Sequence, residues 1–415
     1  SRSKSWLRST ALPPQWLQWL WALGRMGLSF LPECQLSAPK RWLTDDVCWM
    51  CQQALGAGSQ GSEQGSSHGE DECSLHRAAR APDSVEQLVA PLGLGRVSAE
   101  DVERCAQRLS EDVQRWEKGN FRFVRKLQSA DRNHGRVDEI WFTAQGCSVA
   151  SKRMPNKWVT TGPAAFKAAH PHESEHPWFD LALQQVLRDL KFPYLCDLLG
   201  IFRDNKRTYV LTSLATKGDL FSWSIQGPQP GPEREALLLP LVGQLCHGLS
   251  WLHELGIAHR DLSLENALLT DGENGAPAVQ IIDFGVATLE SSCKSGVRGK
   301  VSYQAPEMHE DAPYNPRVAD AFSLGVAIYS MAAQGYPWSA TKAGACQLFD
   351  YNRTWGIEVF LRQRAVGASP TSPKVTQVLS AGLVALLEAL LQVSPAGRGV
   401  LTRGPSSVWA LAWPR

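Results

Sequence analysis

Residues 259–266 read His259-Arg260-Asp261-Leu262-Ser263-Leu264-Glu265-Asn266, and Asp283-Phe284-Gly285 and Ala305-Pro306-Glu307 follow in that order. Asn266 lies five residues after Asp261, Asp283 lies 22 after it, and Glu307 lies 24 beyond Asp283. Each triplet alone is a weak signal. Their order and spacing together constrain the chain strongly, because phosphoryl transfer from ATP needs these parts in one site. One carboxylate must orient the attacking hydroxyl, and Asp261 fits. An amide and a second carboxylate must hold Mg²⁺ against the phosphates, and Asn266 and Asp283 fit.

On these residues the chain resembles the eukaryotic protein kinase family, over about residues 116–400. The resemblance implies an α+β, two-lobed fold, with a small antiparallel β-sheet lobe followed by a larger helical lobe. It also implies ATP and Mg²⁺ as cofactors, and a protein substrate whose serine or threonine hydroxyl takes the γ-phosphoryl group. A catalytically silent, kinase-like scaffold that binds protein partners is the alternative.

The hydrophobic pattern agrees with that plan. Short alternating runs over 121–153 predict strands, 178–190 predicts a helix and 207–212 another strand. Beyond Glu233 the spacing turns helical, over 236–255 and 318–332. A chain of 415 residues is too long for one ordinary core. It divides into a Trp-rich segment (1–54), a Gly/Ser/Gln-rich linker (55–82) expected to be disordered, a helical extension (83–116), the kinase-like domain (117–404) and a tail (405–415). The chain starts at Ser1 rather than Met, as a fragment would.

Within the extension, Ser98 and Asp101 form a candidate capping box, and Val102, Cys105, Leu109, Val113 and Trp116 share one helical stripe. This predicts a helix over 98–116 that packs on the domain after it. Cys48, Cys51, Cys73 and His76 are two pairs that either make a tetrahedral zinc site or flank the linker by chance. Residues 16–31 carry Trp and Leu behind Arg2, Lys4 and Arg8. Three readings stay open for them: packing segment, signal peptide, or contact with a membrane surface through residues 1–31. The stretch is short, and interrupted by Arg25, for a membrane span. A net charge of +1 gives no nucleic-acid footprint, and ten scattered cysteines suit a reducing, cytoplasmic location.

In the small lobe the resemblance assigns Lys152 to the nucleotide phosphates and Ala150 and Val137 to the adenine. Gly135 is the glycine that matches in the phosphate-covering loop, where three are usual, and Asp131 puts a negative charge there. The glutamate expected to pair with Lys152 falls on Leu183. Asp180, one turn earlier, is the favoured substitute, with Glu173 and Glu175 as alternatives. Thr212 would guard the back pocket, backbone groups of Ser213, Leu214 and Ala215 would bond adenine, Asp219 would reach the ribose, and Leu268 would form the floor. Leu187, Leu198, His259 and Phe284 would stack as an internal column.

In the large lobe the chain departs from the family twice. The lysine usual two residues after the catalytic aspartate is Ser263, and the threonine usual after Gly299 is Lys300. The two departures read as one exchange, in which Lys300 and Ser263 restore the ammonium–hydroxyl pair beside Asp261. Arg260 suggests an activation loop held by phosphate, with Ser291, Ser292 and Ser295 as acceptors. Glu307 would pair with Arg398, Asp320 would bond the backbone of the catalytic loop, and Gly325 would permit close packing.

Overall fold

The computed structural model describes residues 95–130, 135–272, 275–294, 296–367, 371–402 and 407–408. The Trp-rich segment, the linker, the four candidate zinc ligands, Asp131, Ser295 and the last seven residues lie outside them. Apart from Thr371 and Ser372, the described residues belong to one compact unit. Among them no helix is long and apolar enough to cross a membrane.

The expected two-lobed plan is what the chain adopts. In the small lobe, β2 (Phe121–Ala130), β3 (Gly135–Phe142), β4 (Cys147–Pro155), β5 (Leu198–Arg203) and β6 (Arg207–Ser213) form an antiparallel sheet. A two-residue strand, β1 (Gln114–Arg115), adds to β5 in parallel, giving the order β1-β5-β6-β4-β3-β2. Strand β4 buries Cys147, Val149, Ser151 and Met154. Strand periodicity then puts Ala150 and Lys152 together on the opposite face. The register sets Val137 across from Lys152 on one side, and Thr212 across from Ala150 on the other. Directly paired residues share a face. Val137, Ala150, Lys152 and Thr212 therefore line one surface, while Ile140, Phe142, Cys147, Val149, Phe202 and Leu211 form the core on the other.

Helix α1 (Ala99–Glu111) is capped by Ser98, whose Oγ accepts from Asp101 N at 3.1 Å. It ends five residues short of the predicted Trp116: Asp112 closes it, and Val113 and Trp116 leave the helix. The reason is non-local. Trp116 stacks between Phe121 (3.9 Å) and Tyr209 (3.8 Å), and that aromatic burial outweighs one more helical turn. The long stretch after β4 forms two short helices, α2 (Asn156–Val159) and α3 (Pro163–Ala169), pinned by buried Trp158 and Phe166. Helix α4 (Pro177–Asp189) follows, and its Trp178 donates from Nε1 to Val159 O at 2.8 Å.

The large lobe contains α5 (Leu220–Ser224), α6 (Pro232–Glu254), the hairpin β7 (Ala267–Asp271)–β8 (Pro277–Ile281) and α7 (Pro316–Ala333). Helices α8 (Gln347–Trp355), α9 (Ile357–Gln363), α10 (Val375–Val378) and α11 (Ala381–Leu390) complete it. Helix α7 is buried nearly all round and is the axis of the lobe. Gly325 on it touches Leu390 and Leu391 so closely that a Cβ would stand 2.8 Å from Leu391 Cδ2. Arg398 donates to Glu307 Oε1 at 2.5 Å and Oε2 at 2.9 Å, and also to Val318 O, Gln392 O and Val393 O. This fork saturates a buried carboxylate and orders the base of the lobe, whatever its net contribution to stability.

His247, on α6, lies in the same interior with Nδ1 2.8 Å from Tyr194 OH. Burial pushes its imidazole down to about 4, from 6.5. The folded chain thus stays unprotonated at pH values where the unfolded chain takes up a proton. The stabilisation is complete above 6.5 and is lost as pH falls from 6.5 towards 4. Thermal denaturation of wild type and His247→Gln across this window should show the wild type losing more Tm on acidification. Parallel curves would show that His247 is not the group responsible.

Candidate active site

Strand β4 delivers Lys152 and helix α4 delivers Asp180. Lys152 Nζ stands 3.7 Å from Asp180 Oδ2 and 3.6 Å from Asp283 Oδ1. Burial alone would favour the neutral amine. The carboxylates of Asp283, Asp180 and Glu175 outweigh it and hold the ammonium form above the ordinary lysine range. Asp180 is buried, which raises its carboxyl, and Asp283 raises it further against the pull of Lys152. Its other oxygen accepts from Phe284 N at 2.9 Å and from Gln184 Nε2 at 2.8 Å. One carboxylate thus bridges the lysine and the Asp283-Phe284-Gly285 backbone.

The favoured substitute for the expected glutamate is therefore the residue that reaches the lysine. Leu183 is fully buried in the core. Glu175 is buried too, and lies against Gly285, where a Cβ would meet Glu175 Cγ at 2.8 Å. His176 N donates to Gly285 O at 2.9 Å beside it. Glu173 is exposed.

The catalytic loop is fixed from below. Asp320 on α7 accepts from His259 N at 2.7 Å, Arg260 N at 2.7 Å and His253 Nε2 at 3.1 Å. His259 Nε2 lies 3.0 Å from Ile282 O, and the His259 ring packs on Phe284 at 5.1 Å. Leu187, Leu198, His259 and Phe284 are all buried, as an internal column requires. Asn266 donates from Nδ2 to Asp261 O at 2.8 Å, which directs its Oδ1 the other way. Arg260 and Asp283 hold φ of 66° and 68°, a left-handed conformation that side-chain-bearing residues adopt at a cost. The strain sits on two of the motifs read from the sequence.

Lys300 meets Ser263 and Glu265. Its Nζ donates to Ser263 Oγ at 2.7 Å and pairs with Glu265 Oε2 at 2.9 Å. Gly299 before it has φ 79°, and a Cβ there would stand 2.9 Å from Arg260 O and 3.3 Å from Asp261 Oδ1. Only a glycine lets this segment lie against the catalytic loop. Glu265 carried no assigned role in the sequence. The signal was its position two residues from Ser263, which makes it the nearest countercharge for the exchanged ammonium.

The residues expected to face a nucleotide are arranged from Thr212 onward. Thr212 is half-buried at the end of β6. Ser213 spends its N–H on Asp197 O and its Oγ on Asp197 N, both at 2.9 Å. Leu214 and Ala215 carry the chain towards the large lobe, where Lys217 N bonds Leu269 O and Leu269 N bonds Gly218 O. This brings Asp219 opposite Leu268. Asp219 Oδ1 caps α5 through Ser222 N at 2.7 Å, which fixes the carboxylate's orientation. Gly135 has a structural reason of its own: a Cβ there would collide with Arg153 O on β4. Arg260 reaches Val286 O, Gly296 O and Tyr314 OH at 3.4–3.5 Å, so backbone and a phenol already hold it loosely. Ser291 and Ser292 are exposed.

The sequence model of the protein kinase domain matches residues 165–409. The chain belongs to the protein kinase family. The match starts beyond Lys152, and the geometry above joins that lysine to it. The chain is 30% identical over 227 residues to testis-specific serine/threonine-protein kinase 4 of Homo sapiens, covering 50% of this chain and 63% of that protein. It is 30% identical over 248 residues to serine/threonine-protein kinase grp of Drosophila melanogaster, covering 58% of this chain and 43% of the relative. With the mitosis inducer protein kinase cdr1 of Schizosaccharomyces pombe it shares 32% over 155 residues, 37% of this chain and 25% of the other. The alignments thus span less than two thirds of each relative's length.

Proposed function

We propose that this kinase transfers the γ-phosphoryl group of ATP to serine or threonine hydroxyls of a protein substrate. The observation that carries the reading is the assembled trio of Lys152, Asp180 and Asp283, closed at 3.6–3.7 Å and tied to Phe284 N. A binding scaffold has no need of that geometry together with a buried Asp261 and an oriented Asn266.

Val137, Ala150, Thr212 and Leu268 would enclose the adenine, with backbone groups of Ser213, Leu214 and Ala215 along its edge, Asp219 at the ribose and Gly135 closing the loop above. Lys152 would hold the phosphates as a point charge. The carboxylate of Asp283 and the amide oxygen of Asn266 are hard oxygen donors and suit Mg²⁺. Among the described residues there is no group of three or more His, Cys, Asp or Glu side chains able to hold a metal. Two protein oxygens would leave the other positions around such an ion to phosphate and water. Bound Mg²⁺ would neutralise charge on the phosphates. Asp261 orients the substrate hydroxyl and draws on its proton, and Lys300 with Ser263 steadies the transferring group.

The scaffold reading draws on one observation: the single matching loop glycine, Gly135, is accounted for by strand packing. The deciding experiment is transfer of labelled phosphate from ATP·Mg²⁺ to a generic protein substrate, with ATP·Mg²⁺ protection against thermal unfolding measured beside it. Protection with transfer supports the kinase; protection without transfer supports the scaffold. A reducing, cytoplasmic location is part of the same proposal and rests on the scatter of the ten cysteines along the sequence.

A further inference from the structure

Residues 96–116 run across both lobes, ahead of the segment that matches the family. At their start Val97 N donates to Leu255 O at 3.0 Å, and the stem of Arg96 covers Gly256, with Cδ 3.6 Å from where a Cβ would stand. Leu255 and Gly256 end α6 and lead directly into His259 and the catalytic loop. In the middle, α1 turns Val102, Cys105 and Ala106 inward, all nearly inaccessible to water, and packs along α4 and against α3. Its other face, with Glu100, Glu103, Arg104 and Gln107, is exposed. Ser110 abuts Gly162 beside α3, where a Cβ would meet its Oγ at 3.0 Å. At the far end β1 joins the sheet through β5, and Trp116 locks between Phe121 and Tyr209.

Helix α4 is the element whose position decides whether Asp180 reaches Lys152. A buried carboxylate held only by a 3.7 Å ion pair and two hydrogen bonds sits at a desolvation cost, so α4 needs support from elsewhere. The apolar face of α1 supplies it. We propose that residues 96–116 are a built-in clamp, which positions α4 and hence Asp180 against Lys152 and couples that position to the turn ahead of the catalytic loop. The clamp makes assembly of the active site a property of the chain's own flank. It rests on the kinase reading above, and Val102, Cys105 and Ala106 are its positioning residues.

The test is a Val102→Asp/Cys105→Asp variant of the full chain, compared with wild type and with Glu103→Gln on the exposed face. Hydrogen exchange reports whether α1 has undocked, and steady-state kinetics separate kcat from KM for ATP. The clamp requires α1 amides to lose protection, α6 and α7 amides to keep theirs, and kcat/KM to fall about tenfold or more as the competent population shrinks. Glu103→Gln should behave as wild type. Freely exchanging α1 amides with kcat and KM within about twofold of wild type would overturn the proposal. If the double variant also loses protection in α6 and α7, Ser98→Ala, which removes only the helix cap, decides by the same readouts. A wild-type chain that binds ATP·Mg²⁺ and transfers nothing refutes the catalytic reading alone. The clamp is then judged by whether undocking α1 shrinks the ATP·Mg²⁺ thermal shift, and an unchanged shift overturns it.

Discussion

Asp261→Asn will transfer phosphate about 10³–10⁴-fold more slowly than wild type while keeping ATP·Mg²⁺ protection against thermal unfolding. The substitution is nearly isosteric. Backbone supports hold the loop: Asn266 bonds the Asp261 carbonyl, and Asp320 bonds the neighbouring amides of His259 and Arg260. The loop should keep its shape. What disappears is a buried negative charge able to orient a hydroxyl and accept its proton, about 4–5.5 kcal/mol of barrier. Lys152, Asp283 and Asn266 are untouched, so nucleotide binding should survive. Joint loss of activity and protection would point to a collapsed loop, and undiminished transfer would remove Asp261 from the mechanism.

Lys300→Ala should slow transfer by about 10²–10³, the range for losing one preorganised donor near developing charge. The ammonium is held between Ser263 Oγ and Glu265 Oε2, so its removal strips a cation from the site and leaves the Glu265 carboxylate unbalanced beside the Ser263 hydroxyl. The exchange hypothesis makes a sharper statement. Ser263→Lys combined with Lys300→Thr puts the ammonium and hydroxyl back in the family's arrangement, and should recover most of the rate that each single change loses. A double-mutant cycle measures this directly. Wild-type turnover by Lys300→Ala would dispose of the exchange, and additive losses in the cycle would show that the two side chains act separately.

The parts of the site legible in the sequence were those fixed by chemistry at a set spacing. Asp261, Asn266 and Asp283 could be read because the ligand and base roles proposed for them allow few residue types. Asp180 could be read because helix geometry puts it one turn from the expected position, although its bond to Phe284 N could not. The Glu307–Arg398 fork and the Asp320 anchor were expectations of the family resemblance, and both contacts are present. Three features were not. The helical stripe over 98–116 is a local signal, and nothing local shows that Trp116 leaves it for Phe121 and Tyr209. Helices α2 and α3 lie in a stretch whose order comes from burying Trp158 and Phe166 against later residues. Gly135 matched a phosphate-loop pattern, but its close contact with Arg153 O depends on strand register, which the motif does not encode.

The central claim is that Lys152, Asp180 and Asp283 converge on one nucleotide phosphate site. A lysine-acylating ATP analogue, followed by peptide mapping, tests it most directly. The expected result is modification at Lys152, suppressed by excess ATP·Mg²⁺ and weakened by Asp180→Leu. Modification spread over other lysines, or labelling of Lys152 that ATP·Mg²⁺ does not suppress, would contradict it.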